Sequence, residues 1–378
     1  MPVAWQLLEA LRLTRMMQSL QDVRLLPADL KFLARTPIVP AEDNEIMARF
    51  TGYVTIADII ADDQQAVVYS TDKIAYESTT IPNLKHGKPL TQAMLNQLQA
   101  INSGMVADMG LFSDYRNRMI DSLLLGVRQR MEALIVCMQI DAIAYDRLGI
   151  KITSGGWGMP SDLKVTPNIP WDTAATATPV NDIWGVRLIA RTRYGQDFNR
   201  LTLSTTAFRY MIATTEFQAK ARLYLAPNVS FTNLNSSDIS GMINLAQNVL
   251  GMEIELYDSR YWAQAADGTL GSTPYLPIVK VVLSSTGDDN DPTAFDFANG
   301  VTTESIVNSL APTNVIGDLG GAVRGPIAYA TVANANLNPP QLQMWGVARG
   351  FPRKFRLQST AVLTVGSFSD TIDPTAPF

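Results

Sequence analysis

The sequence predicts an α+β fold of several parts, on three observations. Segment 114–148 contains no proline and a single glycine, Gly126. It therefore reads as one helix roughly 50 Å long at about 1.5 Å per residue. Segment 51–92, ahead of it, is extended and β-favouring, and a glycine-rich hairpin behind it leads into a mixed helix and strand region. A globular helix averages about 11–12 residues, so this one is a beam. A beam with a long β arm on one side describes a subunit shaped to reach its neighbours.

Composition narrows the class. The 378 residues are 47% hydrophobic but only 17% charged, with a net charge of −5. Soluble domains usually carry about 25% charged residues, so ample apolar surface with few charges favours burial against further copies of the chain. A net charge of this sign does not mark a nucleic-acid binder as a whole. The single cysteine, Cys137, excludes an internal disulfide framework and fits a reducing compartment. It falls in the apolar run 133–138 and is expected to pack in the core. Arg12 and Arg15 interrupt the apolar residues near the start, so neither a signal peptide nor a membrane span is expected.

Residues 1–50 read as an arm. A short amphipathic helix bearing Leu7, Leu8, Leu11 and Met16 precedes Pro27, Pro37 and Pro40, which are expected to deny the backbone a regular ladder. Arg12, Arg15, Arg24, Lys31, Arg35 and Arg49 give the arm a mild basic bias, read as solvated or subunit-pairing charge in preference to nucleic-acid contact.

In segment 51–92, strand signals fall at 53–56, 66–69 and 74–76, separated by polar stretches. Neither face is strongly apolar, and a strand pair without a buried face is marginal alone, so this segment needs a partner surface. It closes with the polar run Lys85-His86-Gly87-Lys88-Pro89. A short helix over 91–101 leads to the beam. There Ile120, Leu123, Val127, Met131, Leu134 and Met138 recur at spacings of three and four and form an apolar stripe. Arg118, Asp121, Arg128, Glu132, Gln139 and Asp146 mark the opposite, polar stripe, and Gly149 is a plausible stop. The apolar spacing does not hold a strict heptad, which argues against a coiled coil.

After the beam, 150–165 reads as a hairpin around Gly155-Gly156-Trp157-Gly158. Helices are expected at 183–194, 206–212 and 237–250, and strands at 201–204, 253–257 and 278–283. The last is apolar enough for a strand covered on both faces. Gly317, Gly320, Gly321 and Gly325 mark a flexible crossing. Phe355, Leu357, Ala361, Leu363 and Val365 alternate as in long strands.

Positive signals for chemistry are lacking. His86 is the one histidine and Cys137 lies mid-helix, which leaves no Cys–His pair and no His-rich or Cys-rich metal site. The run Asp288-Asp289-Asn290-Asp291 lacks the glycine and closing glutamate of a calcium loop and is read as a solvated turn. No Gly-Lys-Ser/Thr follows the glycines at 317–325, so a turn is favoured there over a phosphate cradle. No catalytic residue and no cofactor are expected.

Four stretches carry a resemblance to a known family. The first is Ile81-Pro82-Asn83-Leu84-Lys85-His86 before the short helix and the beam. The second is Asn181-Asp182-Ile183, opening a helix that leads to Leu201-Thr202-Leu203. The third is Ile254-Glu255-Leu256-Tyr257, then Tyr261, a turn at Gly268, Leu276-Pro277 and Val281-Val282-Leu283. The fourth is Arg349-Gly350-Phe351-Pro352-Arg353-Lys354 followed by Leu357-Gln358-Ser359-Thr360-Ala361-Val362-Leu363. In this order of parts the chain resembles the major capsid proteins of tailed bacteriophages, specifically the lambda-like capsid protein E family with the HK97-type fold.

The resemblance implies an N-terminal arm over 1–50, an extended loop over 51–92 and a peripheral domain with its spine helix over 93–165. An axial domain would cover 166–325, and C-terminal strands over 326–378 would return to the peripheral domain. It implies a non-enzymatic protein that assembles as hexamers and pentamers into an icosahedral head. The partners implied are a scaffolding protein, the portal protein, a decoration protein in some relatives, and packaged double-stranded DNA. No membrane is involved. The place implied is the virion shell, after assembly in the host cytoplasm. No built-in scaffold of charged coiled coil precedes the arm, so a separate scaffolding protein is expected. Some capsids of this fold join a loop lysine to an asparagine; Lys73, Lys85 and Lys88 are available, but the bond is not expected in lambda-like members.

Candidate inter-subunit contacts are Asp62, Lys73, Tyr76, Lys85, His86 and Lys88 in the loop. Arg349, Arg353 and Lys354 form a second set, facing an acidic patch on a neighbour in preference to inner DNA. Two other readings are an encapsulin-like compartment of the same fold and an enzyme binding a phosphate ligand at 317–325.

Overall fold

A computed structural model describes residues 30–41, 46–51, 73–78, 81–89, 109–144, 156–224, 239–264, 270–302, 324–333 and 341–368. Several expected features lie outside the described residues. They are the leading helix, the strands at 53–56 and 66–69, the helix at 91–101, Gly149, Gly155 and the glycines at 317–321.

In chain order the first elements are α1 (Lys31–Arg35), β1 (Ile38–Pro40), β2 (Ile46–Thr51), β3 (Lys73–Ser78), β4 (Asn83–Pro89) and α2 (Met109–Gln139). Then come β5 (Lys164–Val165), α3 (Pro179–Tyr194), β6 (Arg200–Leu203), α4 (Thr205–Ala213), α5 (Thr215–Ala221) and α6 (Ile239–Leu250). Strands complete the chain: β7 (Glu253–Leu256), β8 (Arg260–Gln264), β9 (Leu270–Pro274), β10 (Lys280–Ser284), β11 (Phe295–Gly300), β12 (Ile327–Ala333), β13 (Gln341–Lys354) and β14 (Thr360–Thr364). The chain is α+β and divides into two compact units, each drawn from separated segments.

The first unit takes its described residues from 30–46, 78–134 and 296–353. Its sheet has the order β1-β11-β13-β12, with β4 also paired to β13. Both β4 and β12 run antiparallel to β13, with Gly346 opposite His86 on one side and Ala328 on the other. The polar run 85–89 is thus part of a strand, although its residue types are poor strand formers. Ladder bonds to β13 outweigh that weak preference. Two of the arm's prolines, Pro37 and Pro40, likewise join a ladder. The Pro37 carbonyl accepts from Phe297 N–H at 2.9 Å, and Pro40 ends the parallel pair of β1 with β11. At a sheet edge a missing N–H costs nothing, because that side has no acceptor to serve.

Helix α2 buries the predicted stripe. Ile120, Leu123, Val127, Met131 and Leu134 are all buried, each burial stabilising by roughly 1.5–3 kcal/mol. The predicted polar stripe is only partly polar in its surroundings. Asp121 is exposed, but Glu132 is fully buried because its carboxylate accepts from Phe32 N–H at 3.1 Å and Leu33 N–H at 2.6 Å. It satisfies donors at the start of α1 that no residue of that helix caps. Cys137 is half-buried and not a core residue.

The helix stops at Gln139, nine residues before the expected end (148 − 139). Asp141 takes a left-handed backbone, φ 55°, and its carboxylate accepts from Met159 N–H at 3.2 Å and Lys164 Nζ at 2.6 Å. A Cβ on Gly156 would stand 2.7 Å from that carboxylate, so only glycine admits it. A long-range contact, invisible to periodicity, ends the helix.

The second unit takes its described residues from 47–77, 135–295 and 354–368. Its five-stranded sheet runs β5-β14-β10-β6-β7. Central β10 is antiparallel to both neighbours, and its Val281, Val282 and Leu283 are wholly buried, as a strand covered on both faces requires. The expected hairpin at 150–165 contributes β5, which pairs in parallel with β14; its earlier arm lies outside the described residues. Phe355 and Leu357 occupy the turn between β13 and β14 in place of a strand, with the Phe355 and Arg356 amides both donating to the Ala294 carbonyl.

Helix α3 begins four residues before the expectation (183 − 179), with Pro179 in its first turn, and ends at Gly195, φ 63°. Its Val180 N–H donates to Glu216 Oε2 of α5 at 3.0 Å, a cap supplied from another helix. Helix α5 was not expected; Thr214 caps it by accepting from Phe217 N–H. It packs on α3, α4 and α6. Strands β2 and β3 form a two-stranded sheet of their own, as do β8 and β9.

Gly346 lies where β13 crosses α2, and a Cβ there would meet the Leu123 carbonyl oxygen at 2.8 Å. Backbone on both sides leaves no flexible group to yield. Gly346→Ala should therefore destabilise the subunit by about 1–3 kcal/mol. Chemical unfolding checks this, and an unchanged midpoint would contradict the packing.

Candidate functional site

Two strands carry most of the expected contact residues. On β4, Leu84, His86 and Lys88 share one face by the two-residue repeat, and that face meets α2. Leu84 is buried. The His86 ring lies over Gly126, where a Cβ would stand 2.9 Å from Cδ2. Lys88 Nζ donates to Ser122 Oγ at 2.5 Å. Gly126, in the middle of the beam, is thus the seat of the imidazole. On the other face of β4, Lys85 is exposed, and the Trp345 ring of β13 covers Gly87 so closely that a Cβ would be 2.6 Å away.

Burial, followed by the nearby Lys88 ammonium, lowers the His86 pKa below its ordinary value of 6.5. A lowered histidine favours the folded state above that value, and the contribution is lost as pH falls through the folded pKa. Its packing therefore disfavours the charged imidazole in the folded state.

The second set is engaged within the chain. Arg349 Nε donates to the Ile81 carbonyl at 3.2 Å. Arg353 grips Asp296 with two bonds, 2.8 Å from Nε and 2.6 Å from its terminal nitrogen. Their side chains are only 11% and 3% exposed. Lys354 is buried outright, with Nζ donating to Thr360 Oγ1 at 2.6 Å. This corrects the expected outward contact for Arg353 and Lys354. A basic cluster in sequence looks the same whether its acids lie on a neighbour or on a strand of the same sheet. Lys73 and Tyr76 lie on β3, and Asp62 lies outside the described residues.

The acidic run 288–291 is an ion-pair hub and not a solvated turn. Asp288 is buried, accepting from Gln196 Nε2 at 3.0 Å and Arg356 at 3.2 Å. Arg356 also pairs with Asp291, and Arg200 with Asp289 at 2.8 Å. Burial raises the Asp288 pKa despite the Arg356 charge. Hydrogen bonds from Thr293, backbone first, lower that of Asp291. Sequence reasoning missed Arg200 and Arg356 because nothing in their neighbourhoods announces the distant acids. Among the described residues no His, Cys, Asp or Glu cluster could hold a metal ion. None of the described helices is long and apolar enough to cross a membrane.

Comparison with known families now places the chain among phage capsid proteins. It belongs to the phage major capsid protein E family, whose model matches residues 10–297. The protein is accordingly a structural, shell-forming subunit and not an enzyme, and its place is the capsid shell of the virion. Solved structures with similarity include a prophage capsid protein from Escherichia coli, at 14% identity and TM-score 0.47, covering 78% of this chain and 80% of that one. A phage-related protein from Bordetella bronchiseptica gives 12% identity and TM-score 0.47 over 90% and 96% of the two chains. The mature capsid of bacteriophage PhiM1 gives 11% identity and TM-score 0.44 over 89% and 87%. No curated protein matches the chain at a significant level.

Two outcomes are expected. Arg353→Ala leaves Asp296 buried without its bidentate partner and should lower subunit stability by about 3 kcal/mol. An outward-facing arginine would change stability by less than about 0.5 kcal/mol, so denaturant titration separates the two placements. Lowering the pH from 8 to 5 should destabilise the natural chain more than His86→Gln, read as the difference in melting temperature across pH. Equal slopes would remove the packed, neutral histidine.

Proposed function

We propose that this capsid protein has the HK97-type architecture and assembles as hexamers and pentamers that close an icosahedral head around double-stranded DNA. The match of the capsid protein E model over residues 10–297 carries the reading. The first unit, with α2 as its spine, takes the peripheral role, and the sheet and helices of the second unit take the axial role. On this assignment β11 stands with the peripheral strands.

The ribbon of β2 and β3 supports an extended loop over 51–92. Two paired strands that add to neither five-stranded sheet are marginal by themselves and gain stability against a neighbouring subunit. Asp62, Lys73 and Tyr76 then serve as loop contacts, with exposed Lys85 at its base. A scaffolding protein directs closure in the host cytoplasm, a portal protein occupies one vertex, and a decoration protein binds outside in particle types that carry one.

Electron microscopy of the full chain, expressed with its neighbouring phage genes, should show rings or closed shells; a persistent monomer would overturn the reading. Deleting 62–77 should leave a folded subunit, by circular dichroism, that forms no closed shells. Shells of normal size from the deletion would remove the loop assignment while leaving the capsid role intact.

A further inference from the structure

Helix α3 carries a cost that the described residues do not explain. Gly185 sits mid-helix between Pro179 and Tyr194, where glycine is worth about 1 kcal/mol less than alanine. At several other positions a glycine marks a close approach, as Gly346 does to Leu123, and at Gly195 and Gly251 it serves a left-handed backbone. Among the described residues a Cβ built at Gly185 meets nothing within 4 Å, and its φ needs no glycine. Neither local conformation nor packing among the described residues accounts for the glycine.

Its neighbours on the helix point to what approaches it. Trp184, Gly185 and Leu188 form one stripe by the spacing of three and four. All three are exposed, Trp184 at 43% and Leu188 at 61%. The Trp184 ring is held in place, with the Arg187 guanidinium carbon 4.8 Å from its centroid. Arg187 is itself anchored, donating to the Leu250 carbonyl at 3.2 Å and to Asp197 at 3.4 Å. An exposed tryptophan fixed in advance is the kind of anchor that carries binding energy, since little side-chain freedom remains to be lost.

Charges on and beside α3 make ion pairs inside the subunit. Arg191 pairs with Asp197 at 2.8 Å, Arg193 with Asp162 at 2.8 Å, and Lys220 with Glu216 at 2.8 Å. The stripe therefore presents an apolar, locally neutralised surface. A nucleic acid or a strongly charged partner would need ionic contacts that these residues already make within the chain. A shell subunit, by contrast, meets other copies of itself over large surfaces, and apolar contacts suit such permanent interfaces.

We propose that the Trp184–Gly185–Leu188 stripe of α3 is a docking surface for a second copy of this chain, with Gly185 admitting the close approach of the neighbour. The inference rests on the capsid reading and adds the face through which adjacent subunits meet. Trp184 is the anchor, Leu188 extends the apolar contact, and the missing Cβ at 185 is the gap into which the neighbour packs.

The test compares the natural chain with Gly185→Ala and Leu188→Glu. Within the subunit, Gly185→Ala fits the free space and should raise the melting temperature of the dilute, unassembled chain by about 2 °C. Its self-association, followed by sedimentation over rising concentration, should nevertheless weaken by about tenfold or more, and that of Leu188→Glu likewise. A residue with only a structural role would give stabilisation without loss of association. A photo-reactive benzoyl-phenylalanine at position 188 should cross-link chain to chain, with the linked peptide from another copy identified by mass spectrometry. If the natural chain self-associates while both variants match it, or if position 188 links only to a different protein, the stripe is not the contact. A natural chain that never self-associates, even with its neighbouring phage genes, would sink the capsid reading first.

Discussion

The first unit depends on how closely strand backbone can lie against α2. Three contacts set that distance. Gly346 of β13 stands against the Leu123 carbonyl, the His86 ring covers Gly126, and Lys88 reaches Ser122. None tolerates much change, because protein interiors are packed like crystals and absorb an added carbon only by displacement. With β13 held there, its other partners follow. It pairs with β4 and β12 on its flanks, and Gly350 lies so near Phe297 of β11 that a Cβ would fall within 2.2 Å of the ring. Small residues at the crossing points let the helix and the sheet share one core.

Buried charge is the second constraint, and the protein meets it by pairing within its own units. Glu132 caps the start of α1, Arg353 clasps Asp296, and Arg356 and Arg200 gather the acids of 288–291. Such pairs add little net stability over apolar packing, yet breaking one leaves an uncompensated charge inside. They therefore specify which strand meets which loop. With only 17% of its residues charged, the protein assigns many of them to these internal tasks. The α3 face is left apolar, in keeping with a subunit whose neighbours are copies of itself.

The existence and apolar lining of α2 were legible from sequence, because the three-and-four spacing of Ile120, Leu123, Val127, Met131 and Leu134 is a local signal. So was β10, whose almost wholly apolar run 278–283 reads as a strand covered on both faces. Helix α5 was legible in principle, since Thr214 precedes it as a cap. The ends of elements were less so. Asp141 stops α2 through Met159 and Lys164, and no residue near 139 announces that contact. Strand β4 was unreadable because Lys85, His86, Gly87 and Lys88 have weak strand preference and take their structure from β13. The basic cluster 349–354 misled for a related reason, as the acid that Arg353 meets lies on β11.

By itself the sequence determined the α+β class, the apolar stripe of the long helix and, through the order of its motifs, the capsid family. These rest on periodicity, composition and motif order, which are local or additive along the chain. The tertiary structure alone decided where the long helix ends, why a glycine sits at 126, which charges face inward, and which face of α3 stays uncovered. Each of those depends on residues far apart in sequence coming within a few ångströms. Packing and Coulomb energy act through that distance, and spacing along the chain does not reveal it.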